Sequence, residues 1–199
     1  EKIVTGTGRA IDDMVFDSDG GFYFTDLGGT IADKSAGVFY VEPDYRTVYP
    51  VVPGGMIATN GISLDPDGRN MWITEYGAGR LHHFTLAEDK HSIEMASSYV
   101  AYTFTGLEGP DSTIVDEDGN LYVAMCGQAR FLVFNRNGHP IGQILIPGRE
   151  KGEMAKSTHL AIRPGTNEAY MCAADLNTRK CAIYRAKVFA NAYQSYQFQ

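Results

Sequence analysis

Hydrophobic residues fall in short runs separated by polar, Gly and Pro turns, and the patterning typical of helices is almost absent. Four segments repeat one order: an apolar strand, an acidic or Pro/Gly turn, and an aromatic-rich strand. They are residues 12–26, 60–75, 111–125 and 158–172, with turns opening at Asp17, Asp65, Asp116 and Arg163. The turn positions are 48, 51 and 47 residues apart, close to the ~40–50 residues of one propeller blade.

Two further strands follow each repeat at similar offsets. The third strands are predicted at residues 37–41, 80–86, 130–135 and 181–186, and the fourth at 47–52, 97–103, 141–146 and 195–199. Helical structure is expected only as a turn or two within 149–156. The sequence therefore predicts an all-β chain: one domain, 1–199, of four four-stranded antiparallel blades of a β-propeller. Asp and Gly in the three acidic turns fit hairpin turns better than calcium-binding loops.

The repeat register brings scattered polar residues into one set. Five residues before each turn position lie Asp12, Asn60, Asp111 and Thr158, and the residues after them are Asp13, Gly61, Ser112 and His159. Each set begins the first strand of its repeat, which in a propeller lines the central channel. Because blades are related by rotation, we expect these side chains to form a ring around the axis.

Two carboxylates, an amide and hydroxyls are hard oxygen ligands of the kind that Ca²⁺ takes in sets of 6–8. Zinc would require His or Cys in tetrahedral array, and His159 alone lies near the ring. Magnesium is a second option with stricter octahedral geometry. The alternative without a metal is that these polar residues only solvate a water-filled channel.

Composition narrows the function classes. A net charge of −7, from 24 acidic and 17 basic residues, argues against nucleic-acid binding, which needs excess Lys and Arg. No apolar run approaches the ~20 residues of a membrane span. With no signal-peptide region and no N-x-S/T sequon, we expect a cytoplasmic protein. Cys126 and Cys172 lie in apolar runs and are expected to be buried thiols, with a Cys172–Cys181 disulfide as the less favoured alternative.

Other candidate sites have weaker support. His82 and His83 are adjacent in a predicted strand, so one is expected to face inward and one outward, without a shared metal. A Ser/His/Asp triad of Ser112, His159 and Asp13 lacks a G-x-S-x-G elbow. Trp72 is expected in the core.

Several segments also resemble a known family: IDDMVFDSDGGFYFTD (11–26), EGPDS (108–112), GQILIPGR (142–149) and KSTH (156–159). They resemble the calcium-dependent lactonase branch of the regucalcin and gluconolactonase superfamily, and within it the staphylococcal drug-responsive type. The resemblance implies a six-bladed propeller with a catalytic Ca²⁺ on its axis. It implies Asp12, Asn60 and Asp111 as ion ligands, Ser112 as a further ligand, and Asp111 as the acid/base residue.

The implied activity is hydrolysis of a small-molecule lactone. We expect Asp13, Ser112 and His159 to line the mouth of the channel and orient the substrate. A phosphotriesterase on the same ion and a non-catalytic calcium- or ligand-binding propeller fragment remain alternatives, as does a self-contained four-bladed propeller. Four repeats where the family has six imply two further blades, carrying another Glu ligand, in the rest of the chain or in another chain. The resemblance also implies a second, structural ion, held partly by residues just before the Asp12–Asp13 pair. Here residues 3–9 contain Thr7 but no carboxylate, so we do not expect that second ion.

Overall fold

The computed structural model describes residues 8–196, and these residues contain fifteen β-strands and two single-turn 3₁₀ helices. The strands are β1 (Ile11–Phe16), β2 (Phe22–Asp26), β3 (Ala36–Val41), β4 (Val48–Met56), β5 (Thr59–Leu64), β6 (Asn70–Glu75), β7 (Arg80–Leu86), β8 (Ile93–Thr103), β9 (Pro110–Val115), β10 (Leu121–Met125), β11 (Arg130–Phe134), β12 (Pro140–Leu145), β13 (Lys156–Ile162), β14 (Glu168–Asp175) and β15 (Lys180–Lys187). The 3₁₀ helices are Tyr76–Ala78 and Arg149–Lys151. No helix in residues 8–196 has the length and apolar character needed to cross a membrane.

The strands form four antiparallel sheets, each made only of strands consecutive in the sequence. Blade 1 contains β1–β4, blade 2 β5–β8, blade 3 β9–β12 and blade 4 β13–β15. The predicted all-β fold of four antiparallel blades is confirmed. The fourth strand predicted for blade 4, at 195–199, lies mostly outside the described residues, and residues 195 and 196 are not in a strand.

Hydrophobic side chains pack between neighbouring blades and form three separate cores. Between blades 1 and 2, Tyr23 and Tyr40 pack with Met71 and Phe84. Between blades 2 and 3, Trp72 and Leu81 pack with Val123 and Phe134. Between blades 3 and 4, Phe131 packs with Leu160 and Met171. Blades 2 and 3 are therefore covered on both faces, which explains why strands β6 and β10 are almost entirely buried.

Two expectations about exposure are wrong. His82 and His83 do point to opposite faces of blade 2, with His82 against Phe84 and His83 against Trp72. Both are nevertheless buried, because blade 2 packs against a neighbour on each face. Cys172 is exposed, whereas Cys126 is buried as predicted. Cys172 lies on the face of β14 that no other described blade covers, so its apolar sequence context does not bury it. All three cysteines are free, and Cys172 and Cys181 form no disulfide.

The acidic turns have the structural role expected from the sequence. Asp17 Oδ1 accepts hydrogen bonds from the backbone N–H groups of Asp19 (2.8 Å) and Gly21 (3.0 Å). Asp65 and Asp116 hold their own turns with the same kind of bonds. These carboxylates lie just after the C-terminal ends of the innermost strands, and we call this end of the propeller the turn end. The predicted ring lies at the opposite end of the same strands.

Candidate functional site

The innermost strand of each blade is irregular at its predicted ring position. The pairing register shifts at residues 12–13, 60–61 and 111–112, where two residues oppose one on the neighbouring strand, and at 158 in the fourth blade. Such β-bulges redirect side chains and are common next to active sites. Strand β5 contacts both β1 and β9, and β9 contacts β13, so the bulges share one end of the propeller. We call this the ring end.

At Gly61, the bulge of β5 lies directly against the bulge of β9. A Cβ atom at Gly61 would lie 2.6 Å from the carbonyl oxygen of Asp111 and 2.7 Å from the backbone nitrogen of Thr113. Both atoms are backbone and have little room to move, so only Gly permits this contact between β5 and β9. The bulges that carry Asn60 and Asp111 are thereby held side by side.

The acidic residues of the ring end are close enough to influence one another. Burial raises the pKa of Asp111, and the charges of Asp12 and Asp13 raise it further, against a hydrogen bond from the Ser112 N–H (3.0 Å). Burial also raises the pKa of Asp12, although its side chain is exposed in part. Their crowding is unfavourable unless a proton or a cation neutralises it.

Asn60 provides the clearest sign that a ligand belongs here. The residue is only 6% exposed, and its Oδ1 atom has no hydrogen-bond partner among the described residues. A buried amide oxygen without a partner is costly, so such atoms call for an explanation such as an ion. Its carbonyl-type oxygen and the nearby carboxylates fit a hard cation such as Ca²⁺.

The ring end does not form a cation site from acidic and imidazole groups alone. Across residues 8–196, no three His, Cys, Asp or Glu side chains are grouped closely enough to hold a metal ion. An ion at this end would therefore depend on the amide oxygen of Asn60 and on hydroxyl oxygen, as the sequence-predicted set with Ser112 implies.

The two predicted substrate-binding residues, Asp13 and His159, both interact electrostatically with Asp111. Burial raises the pKa of Asp13 to about 6, although its carboxylate accepts hydrogen bonds from the N–H groups of Met14 (2.8 Å) and Ile62 (3.3 Å). His159 is exposed, and partial loss of hydration lowers the pKa of its ring while the Asp111 charge opposes the shift. His159 is thus close enough for the Asp111 carboxylate to stabilise its protonated ring.

A second polar cluster beside Asp111 was missed by sequence reasoning. Glu108 accepts hydrogen bonds from the thiol of Cys126 (3.1 Å) and the hydroxyl of Tyr76 (3.4 Å), and it pairs with Lys156. The pairing with Lys156 lowers the pKa of Glu108, whereas burial raises the pKa of Cys126 to about 12, so the cysteine stays a thiol. Glu108 and Lys156 do lie in the distinctive EGPDS and KSTH segments, which was the available signal.

Two further sequence predictions concern the fourth ring position and the residues that would hold a second ion. Thr158, the fourth ring position, is exposed at the bulge of β13. Thr7 and the rest of residues 3–7, which bear on a second ion, lie outside the described residues.

Comparison with known protein sequences identifies a family and two relatives of this chain. Residues 4–156 match the family described as SMP-30/Gluconolactonase/LRE-like region. The chain is 50% identical over 194 residues to "Lactonase drp35" of Staphylococcus saprophyticus, covering 97% of the chain and 60% of that protein. It is 48% identical over 204 residues to "Lactonase drp35" of Staphylococcus haemolyticus, covering 100% of the chain and 62% of that protein. The chain thus spans about three fifths of these relatives.

Solved structures with the same fold are more distant in sequence. A calcium-binding regucalcin from Agrobacterium tumefaciens superposes with a TM-score of 0.70 at 16% identity, covering 92% of this chain and 64% of that one. A gluconolactonase from Xanthomonas campestris gives a TM-score of 0.67 at 15% identity, covering 92% and 60%. At these identities the superpositions establish the propeller architecture alone.

Proposed function

Because the chain belongs to the SMP-30/Gluconolactonase/LRE-like family, we propose that its protein is a calcium-dependent hydrolase that opens a lactone ester. Relatives at about half identity are named lactonases, and a structural neighbour is named as calcium-binding. The observation in this chain that carries the proposal is the buried, unpartnered Oδ1 of Asn60 beside carboxylates of raised pKa.

The ion ligands in this proposal are Asp12, Asn60, Asp111 and Ser112. Each of the three blades that contribute them does so from a bulge at the ring end, where the strand is free to turn a side chain away from the sheet. When bound, Ca²⁺ supplies Lewis-acid polarisation of the lactone carbonyl.

Asp111 is proposed to handle the proton. Burial and the nearby negative charges raise its pKa in the metal-free protein, and a carboxylate held beside the reacting groups can act as a general base and acid. It would take a proton from the attacking water and return it to the alkoxide that leaves when the ring opens. Asp13 and His159 are proposed to orient the substrate, since both lie within electrostatic range of Asp111.

The four described blades leave apolar side chains exposed on both outer sheets, including Met14 (51 %) of blade 1 and Ile183 (72 %) of blade 4. We include in the proposal that further blades, from the rest of the chain or from another chain, cover these faces and complete a six-bladed ring in a cytoplasmic protein. The proposal includes no second, structural ion.

The test compares Asp111→Asn with the parent protein on a panel of lactones, with calcium added or removed by a chelator. Removing a general acid/base is expected to lower the turnover number about 10²–10⁴-fold, while circular dichroism and thermal unfolding remain as in the parent. Asp118→Asn is the matched control, because Asp118 is an exposed acidic residue at the turn end of the same blade.

The outcomes separate the candidate functions. Full lactonase activity in Asp111→Asn would contradict the role of Asp111. Calcium-dependent hydrolysis of phosphotriesters but not of lactones would mean that the protein is a phosphotriesterase that uses the same ion. Calcium binding without turnover of either substrate class would leave a binding protein.

A further inference from the structure

Two buried threonines connect the bulges of neighbouring blades. Thr25 in β2 and Thr74 in β6 are completely buried, and each lies opposite the bulge of its own blade. A threonine in an apolar strand ordinarily stabilises its own sheet. Both of these side chains also make hydrogen bonds to the neighbouring blade.

The hydroxyl of Thr25 joins blades 1 and 2. It accepts a hydrogen bond from the backbone N–H of Asp13 (3.1 Å) in its own blade. It donates its proton to the backbone carbonyl of Asn60 (2.6 Å) in the next blade. A hydroxyl has one proton to donate, so the much shorter distance to Asn60 favours that acceptor over the Asp13 carbonyl at 3.4 Å.

The hydroxyl of Thr74 repeats this arrangement between blades 2 and 3. It accepts from the N–H of Gly61 (2.7 Å) and donates to the carbonyl of Asp111 (2.8 Å). Its distance to the Gly61 carbonyl is 3.5 Å, so the Asp111 carbonyl is again the nearer acceptor. In both cases the acceptor is the peptide group of the very residue proposed to bind the ion.

We propose that Thr25 and Thr74 are positioning residues that set the placement of Asn60 and Asp111 at the ring end. This inference rests on the proposed function. A bulge breaks the ladder of backbone hydrogen bonds locally, so the ligand-bearing residue needs another anchor. The threonine of the preceding blade supplies it, and the alignment of one blade's ligand therefore depends on its neighbour.

The repeat itself shows that the arrangement is not a general requirement of the fold. In blade 3 the residue opposite the bulge is Ala124, which has no hydroxyl. The residue it would have held is Thr158 in blade 4, which is exposed and is not among the proposed ion ligands. Within the described blades, the hydroxyl occurs where the next blade provides a proposed ligand and is missing where it does not.

The decisive variants are Thr74→Val and Thr74→Ser in the protein as it occurs naturally. Valine keeps the shape of the side chain but cannot hold the Asp111 carbonyl, whereas serine keeps the hydroxyl. Because a displacement of ~1 Å can cost about 100-fold in rate, we expect Thr74→Val to lose about 100-fold in kcat for the lactone. Calcium affinity, measured by isothermal titration, should fall about tenfold, as when a group that orients a metal ligand is removed. Thr74→Ser should keep both the kcat and the calcium affinity of the parent.

Thr113→Val is the matched control. Thr113 is also buried, and its hydroxyl bonds to Ser63 Oγ (2.7 Å), joining β5 and β9 without touching a ring residue. This variant should lower the melting temperature about as much as Thr74→Val while leaving kcat and calcium affinity unchanged.

The results separate the two levels of the proposal. If the parent binds calcium and hydrolyses the lactone, but Thr74→Val loses only stability, as Thr113→Val does, the positioning role is wrong and the proposed function stands. If the parent neither binds calcium nor hydrolyses lactones, both are wrong.

Discussion

Acidic residues lie at both ends of the innermost strands, but they are treated in opposite ways. At the turn end, the carboxylate oxygens are saturated with hydrogen bonds. Asp116 is fully buried and accepts bonds from the backbone of Asp118 (3.1 Å), from Asn120, and from the hydroxyl of Tyr122 (2.8 Å). Asp17 is bonded in the same way and also pairs with Lys90 (3.2 Å).

At the ring end, Asp12 and Asn60 have fewer hydrogen-bond partners than their side chains could use. The side chain of Asp12 accepts no hydrogen bond from any residue in 8–196, and Asn60 Oδ1 is buried without a partner. The pKa values of Asp12, Asp13 and Asp111 are all raised, with burial as the largest cause.

The difference teaches how one residue type serves two purposes in a repeated fold. A carboxylate surrounded by N–H and O–H donors holds a turn in place and has little capacity left for a ligand. A desolvated carboxylate beside another negative charge is unfavourable on its own but suited to a cation. Hydrogen-bond saturation, more than residue type, therefore distinguishes the scaffold acids of this protein from its candidate ligands.

The largest loss of stability is expected from a substitution at the turn end, Asp116→Ala. Asp116→Ala leaves several buried donors of Asn120 and Tyr122 unsatisfied, at about 1–3 kcal/mol each, so we expect a loss of about 4 kcal/mol in unfolding free energy. Urea denaturation measures it, and calcium affinity extrapolated to the folded state should not change. Asp118→Ala, which removes an exposed side chain from the same turn, should stay within about 0.5 kcal/mol. Equal stabilities of the two variants would mean that saturation does not mark a scaffold role.

The pH dependence of stability tests the ring end. Burial raises the pKa of Asp13 to about 6 in the folded protein, so the folded state binds this proton more tightly than the unfolded state. The resulting stabilisation is present below the ordinary aspartate pKa of about 4, and it is lost as pH rises through about 6. Its size is at most about 3 kcal/mol.

Urea denaturation between pH 4 and pH 7, with a chelator present, measures this loss. Asp13→Asn cannot ionise and serves as the reference, so it should gain stability relative to the parent as pH rises. A difference between the two proteins that stays constant with pH would show that Asp13 titrates normally. Saturating calcium should reduce the pH-dependent difference if the cation offsets the charge.

A smaller effect on stability, with a specific effect on the site, is expected for Gly61→Ala. The new Cβ would overlap the backbone of Asp111 and Thr113, so β5 and β9 must separate at the ring end, at a cost of about 1–3 kcal/mol. Calcium affinity should fall with it.

Gly54→Ala is the control for that substitution, because Gly54 lies in the outermost strand of blade 1. Its Cβ would meet only the backbone of Lys34 (3.3 Å) and Ser35 (4.0 Å), and no residue of an innermost strand. Unchanged calcium binding in Gly61→Ala would show that the close approach of β5 and β9 does not position the ligands.

The repeat spacing was enough to predict the blades and to place Asp12, Asn60 and Asp111 at equivalent positions of three innermost strands. Those predictions follow from local pattern, since each sheet contains only consecutive strands. The roles proposed for these residues remain predictions.

What the sequence did not reveal depends on contacts between blades. The burial of His83 and the exposure of Cys172 follow from which faces a neighbouring blade covers, and neither residue's own segment records that. The hydroxyls of Thr25 and Thr74 could not be recognised for the same reason. A threonine in an apolar strand has ordinary β-propensity, and its bond to the next blade appears only when the two bulges are placed in three dimensions.

Because every sheet is built from its own contiguous stretch of sequence, hairpins within a blade can form early, before the blades dock. The ring-end groups, by contrast, are contributed by different blades and meet only at docking. Cation binding would then act as a reporter of the final assembly step, and a destabilised interface far from the axis could weaken metal affinity without altering any ligand.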